Sequence, residues 1–129
     1  MSPLRRAIAD SARGPVAVHE TEQWSQEFAF APDFLGFSGH FPGYPVVPAV
    51  VQVLTAQMLV EAVTGRPLRL TALDNAKFLI QLHPEDVITV RCRQKKVTAA
   101  AILYEGTLSV AAGVAASFQL ALAEKDAGC

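Results

Sequence analysis

The chain has 129 residues, 51% of them hydrophobic and 18% charged, with a formal net charge of −1. This length suits one domain spanning 1–129, with a core over about 16–123 that folds without metal or disulfide staples. The same figures argue against intrinsic disorder and against a basic field for nucleic acid.

Two cysteines, Cys92 and Cys129, make no disulfide framework, so a reduced cytoplasm is the expected compartment. The N-terminal stretch carries basic residues but no continuous apolar run, unlike a secretory signal. No uncharged apolar segment reaches the roughly 18 residues of a membrane helix. A soluble protein with neither a membrane nor a nucleic-acid partner is expected. The apolar excess suggests surface hidden by a partner subunit, although a generous core reads the same way.

Ser2 and Pro3 read as an N-cap followed by proline at the first helical position. Leu4, Ala7 and Ile8 recur at helical spacing, and Gly14-Pro15 stops that short amphipathic helix. Val16 and Val18 alternate as a strand. A second strand places Trp24, Gln26, Phe28 and Phe30 on one face, with Ser25, Glu27 and Ala29 on the other.

Residues 31–48 form a loop punctuated by proline and glycine. It leads into a helix over 49–64, which Pro48 starts and Gly65 with Pro67 stops. At 1.5 Å per residue this helix is about 25 Å long. Apolar residues lie almost all the way round it, which marks a buried central helix.

Everything after Gly65 reads as strand: residues 68–80, then a His83-Pro84-Glu85-Asp86 turn, then 88–93, 98–108 and 114–123. Ile88, Val90 and Cys92 alternate with Thr89, Arg91 and Arg93, and Phe118, Leu120 and Leu122 share one face. One long buried helix followed by antiparallel strands predicts an α+β fold, an antiparallel sheet wrapped around a single helix.

The stretch that could carry chemistry is Gly39-His40-Phe41-Pro42-Gly43-Tyr44-Pro45-Val46-Val47-Pro48-Ala49-Val50. Its prolines restrict the backbone, so His40 is held in a defined direction. It ends at a helix N-terminus, where unpaired N–H groups and the helix dipole favour negative charge. A base beside such an end is what proton abstraction next to a carbonyl requires. Spacing alone also fits the plainer alternative, a rigid turn in which His40 packs as a satisfied histidine.

This stretch resembles the G-H-F-P-x-x-P-x-x-P-G-V signature of the FabZ/FabA-type 3-hydroxyacyl-thioester dehydratases. Leu73-Asp74-Asn75-Ala76-Lys77-Phe78, through Pro84-Glu85-Asp86, resembles the same family's "I-D-N-x-x-F … P-G-D" segment. The resemblance covers roughly residues 24–122 and implies the hot-dog fold and side-by-side dimers or larger homo-oligomers. It also implies an acyl thioester substrate carried on acyl carrier protein or CoA, and no cofactor or metal. In the family the motif histidine acts on the α-proton, and His40 occupies that position. A backbone N–H at the helix start polarises the thioester carbonyl. Here Ala49 supplies it, where the family usually has glycine. Gly43, Leu54 and Gln57 are the remaining expected substrate contacts.

One departure bears on activity. The family places a glutamate fourteen residues after the histidine, and that position is Leu54 (or Val53, if the register shifts by one). Neither transfers a proton. Leu54, Gln57 and Glu61 share a helix face, but Glu61 lies roughly 10 Å beyond Leu54 along the axis. Gln52 lies more than half a turn from Leu54 and is expected to face elsewhere. The Val50-Val51-Gln52 helix start resembles the "P-G-V-x-Q" of hot-dog proteins from specialised acyl pathways.

His19, His83 and Ser38 match no metal or nucleophile spacing and read as surface or turn residues. Asp33 suits an Asx-turn. Arg91, Arg93, Lys95 and Lys96 read as a solvated face that could also steer an acidic carrier. The expected function is a dehydratase that gives a trans-2-enoyl thioester. A non-catalytic acyl-thioester-binding subunit and a hot-dog acyl thioesterase are the alternatives.

Overall fold

The computed structural model describes residues 2–37 and 45–125, beginning with helix α1 (Pro3–Asp10). Ser2 caps α1, its hydroxyl accepting the Arg5 N–H at 3.1 Å. Strands β1 (Ala17–Glu20) and β2 (Gln23–Phe28) follow, then a single 3-10 turn, Leu35–Phe37. Helix α2 covers Ala49–Thr64, the span its sequence predicts. Pro48 stands at its N-cap, and Gly65 ends it at φ 70°, donating its N–H to the Glu61 carbonyl. A left-handed end of this kind favours glycine.

The remaining strands are β3 (Leu68–Phe78), β4 (Ile88–Val97), β5 (Ile102–Val110) and β6 (Gly113–Glu124). Residues 98–101, expected as the start of a strand, instead make a turn. There the Thr98 N–H donates to the Ala101 carbonyl, and the Thr98 hydroxyl bonds both backbone groups of Ala101. A threonine side chain that bonds nearby backbone competes with the strand ladder, which is why β5 begins only at Ile102.

All six strands form one antiparallel sheet in the order β1-β2-β4-β5-β6-β3, and α2 packs against β2, β3, β4, β5 and β6. This is the α+β hot-dog arrangement, a sheet curved around one long helix. The alternation read from the sequence supplies the sheet's inner wall. Ile88, Val90 and Cys92 are buried while Arg91 and Arg93 are exposed, and Phe118, Leu120 and Leu122 are buried together. Each fully buried Leu or Phe contributes roughly 1.5–3 kcal/mol through apolar surface removed from water. Gly106 lies opposite Phe118 across β5 and β6, and a Cβ there would sit 2.6 Å from the Phe118 ring. The glycine lets the ring lie on bare backbone.

Helix α1 closes one end of the core by burying Ile8 completely. The residues after it bond to β2 and its continuation, through Arg13 N–H to the Glu27 carbonyl and Ala29 N–H to the Ser11 carbonyl. At the other side of the sheet, β3 is an edge strand. It pairs with β6 alone, and Leu70, Leu73, Phe78 and the following Leu79 are all exposed. Among the described residues, no helix is long and apolar enough to cross a membrane.

Candidate functional site

The first turn of α2 lacks the cap that α1 has. Pro48 has no side-chain donor or acceptor, and no described side chain bonds the first N–H groups of α2. The N–H groups of Val51 and Gln52 fold back onto the Pro48 carbonyl, at 3.0 and 3.1 Å. Those of Ala49 and Val50 have no partner among the described residues, and Val50 is 69% exposed. Two backbone donors at the positive end of a helix dipole therefore point away from the helix.

Ala49 is also one of the residues that line a recess of about 250 Å³. Residues 46–49 and Gln52 wall it on one side, and residues 78–81, at the end of β3, wall it on the other. The Val47 N–H holds the two walls together by donating to the Leu82 carbonyl at 2.8 Å. None of the described residues lining the recess carries a titratable side chain. Among them the helix end supplies a positive dipole, and an oxygen that becomes negative during a reaction is what such an end stabilises.

Gln52 is only 5% exposed. Its Nε2 donates to the Val47 carbonyl at 3.0 Å, while its Oε1 is buried without a hydrogen-bond partner among the described residues. A carbonyl only accepts, so the bond to Val47 fixes which end of the amide faces it. The oxygen is left facing the other way. Leaving a buried acceptor unsatisfied costs about 1–3 kcal/mol. The sequence reading had Gln52 facing away from the site because it was placed relative to Leu54, the position of the family's glutamate. The one available signal was a polar residue in the first turn of an otherwise apolar helix.

The other helix residues singled out from the sequence have separate surroundings. Leu54 is partly buried and packs against the core, and Val53 is buried in it. Gln57 is 7% exposed and its Nε2 donates to the Leu68 carbonyl at 3.0 Å. Glu61 accepts the Leu68 N–H at 2.9 Å and both guanidinium nitrogens of Arg5. Gln57 and Glu61 thus hold both backbone groups of one residue at the start of β3, far along the helix from the recess.

His40 and Gly43 lie outside the described residues, as do Ser38, Tyr44 and Cys129. His19 pairs with Ser25 across β1 and β2 at 2.6 Å, and His83 lies 3.7 Å from Asp86 in the expected turn. Arg93 and Lys95 share Glu105, at 3.1 and 3.8 Å, which neutralises part of the basic stripe. Cys92 is fully buried, its Sγ 3.4 Å from the Ala56 carbonyl, and burial pushes its thiol up to about 12. It is a core side chain with no nucleophilic character at neutral pH. No cluster of metal-ligating side chains occurs among the described residues.

A six-stranded antiparallel sheet wrapped round one long helix defines a hot-dog protein. The model of the ApeI-like family, described as ApeI dehydratase, matches residues 17–116, and the chain belongs to that family. It is also 30% identical over 94 residues to a 3-hydroxyacyl-[acyl-carrier-protein] dehydratase FabZ of Caulobacter sp. strain K31. That match covers 66% of this chain and 58% of the relative.

Two solved structures show the same fold at low identity. One is the dehydratase heterocomplex ApeI:P of Xenorhabdus doucetiae, at TM-score 0.71 and 15% identity, covering 88% of this chain and 96% of that one. The other is the E. coli PaaI protein of the phenylacetic acid degradation operon, at TM-score 0.65 and 10% identity, covering 86% and 78%.

Proposed function

We propose that this chain is a hydro-lyase that removes water from a 3-hydroxyacyl thioester, on acyl carrier protein or CoA, to give a trans-2-enoyl thioester. The observation that carries this reading is the Ala49 N–H, without a partner among the described residues, on a residue that lines a recess directly after the His40 motif. The Ala49 N–H would bind the thioester oxygen and stabilise the enolate that forms as the α-proton leaves. His40 would take that proton, since a neutral imidazole with an ordinary pKa of about 6.5 is a competent base near pH 7, and would pass it to the C3 hydroxyl as the C–O bond breaks, so that the hydroxyl leaves as water. Gly43 and Leu54 would border the acyl path, and Gln57 would fix the helix that carries the donors.

The recess of one protomer, about 250 Å³, lies below the roughly 300–1,000 Å³ of typical ligand sites. It suits the reactive end of the substrate, with the remaining acyl chain bounded by a second subunit. The β3 edge is the surface we assign to that contact, because an unpaired strand bearing exposed leucines is a template for pairing. The unit proposed is one cytoplasmic hot-dog domain that acts as a dimer or higher oligomer.

Leu54 favours a second reading, a subunit without full catalytic machinery of its own. The dehydratase heterocomplex of Xenorhabdus doucetiae supports it by analogy. This chain would then pair with a different hot-dog chain that brings the carboxylate.

Hydration of trans-2-enoyl-CoA substrates of several chain lengths by the purified protein tests the proposal. His40→Ala should lower the rate at least about a hundredfold, the usual worth of a general base. No hydration at any length, or an unchanged rate in His40→Ala, would overturn it. Acyl-carrier binding without turnover would select the subunit reading, and release of free thiol from acyl-CoA would select a thioesterase.

A further inference from the structure

Gln52 is a buried side chain with an accepting oxygen that no described residue uses. It lines the same recess as Ala49, whose N–H is a free donor among the described residues. That donor suits a carbonyl oxygen, whereas Gln52 Oε1 requires a donor. A 3-hydroxyacyl thioester has both kinds of group two carbons apart, an accepting carbonyl and a donating hydroxyl.

We propose that Gln52 is the positioning and specificity residue for the substrate hydroxyl, accepting its proton in a hydrogen bond while the helix end holds the thioester oxygen. The inference rests on the dehydratase reading and adds to it the group that distinguishes a hydroxylated from a plain acyl chain. Its physical basis is the mismatch left by the wrong ligand. A site with a buried acceptor binds a molecule lacking the donor poorly, because the acceptor stays unsatisfied in the complex. The bond from Gln52 Nε2 to the Val47 carbonyl sets the direction of the oxygen, and the Val47 N–H is itself anchored on Leu82. The acceptor is therefore oriented before substrate arrives.

The test is equilibrium binding to the His40→Ala chain, which holds ligand without turning it over. Three probes are compared: 3-hydroxyoctanoyl-CoA, octanoyl-CoA and 3-oxooctanoyl-CoA, with the four-carbon series alongside. The 3-oxo group accepts but cannot donate. The hydroxy ligand should bind at least tenfold more tightly than either of the others, a difference of about 1.4 kcal/mol.

Adding Gln52→Met should abolish that preference while leaving octanoyl-CoA affinity within about threefold. A purely structural role would shift all three ligands together. Equal affinity for the three probes in the His40→Ala chain, as expected if a resident water satisfies Oε1, overturns the assignment and leaves the dehydratase reading standing. So does a preference that survives Gln52→Met. Failure of every probe to bind overturns both. Should Gln52→Met fail to fold, the ligand series in the His40→Ala chain still decides.

Discussion

The two ends of α2 are finished differently. At its C-terminal half Gln57 and Glu61 bond both backbone groups of Leu68, Arg5 bonds Glu61, and Gly65 turns the chain left-handed onto the Glu61 carbonyl. At its N-terminal end a proline caps nothing, two N–H groups have no partner among the described residues, and Gln52 keeps a buried oxygen unsatisfied. Unsatisfied polar groups are costly, and under the proposed function a ligand would supply the missing partners at that end. The proposal thus assigns stability to one end and recognition to the other.

If that division holds, damage to the C-terminal half should lower stability and leave chemistry intact. The largest effect expected is from Glu61→Ala. Its carboxylate is 15% exposed and serves both Arg5 and Leu68, so its loss should cost about 2–3 kcal/mol. Thermal unfolding should show a midpoint lower by roughly 6–12 °C for a chain of this size. Hydration at a temperature where the variant is folded should be unchanged. A drop in kcat without a drop in midpoint would break the comparison.

Leu54 lies between the two ends, at the position the family gives to glutamate. Leu54→Glu should raise the hydration rate about tenfold, at the lower edge of what a positioned general acid contributes. Steady-state kinetics on the purified protein would check this. No gain, in a variant that folds and binds acyl-CoA, would place the site's acid on another chain.

The smallest effect belongs to Gly65→Ala. No atom lies within 4 Å of the Cβ this would add, so the cost is only that of a left-handed backbone, about 1–2 kcal/mol. The unfolding midpoint should fall by roughly 3–8 °C with acyl-CoA affinity untouched.

Much of this fold was legible in the sequence. Alternation in β4 and β6 reports which side chains point inward because the strand period is two, and α2 announced itself by apolar residues on every side. Proline and glycine set its ends because each acts on its own backbone angle, independently of distant contacts. Thr98 was misread because a local side-chain bond outweighed a weak strand pattern.

The candidate site was legible only as a motif. Sequence spacing put Gln57 and Glu61 on one face but could not say that the face meets Leu68. It also set Gln52 aside by measuring its angle from Leu54. Strand order and the approach of residues 78–81 to the start of α2 are long-range pairings, and no local propensity encodes them. Local chemistry determined where the helix and strands begin and end. Only tertiary packing decided which polar groups find partners and which do not, because satisfaction of a hydrogen bond depends on what distant chain segments bring beside it.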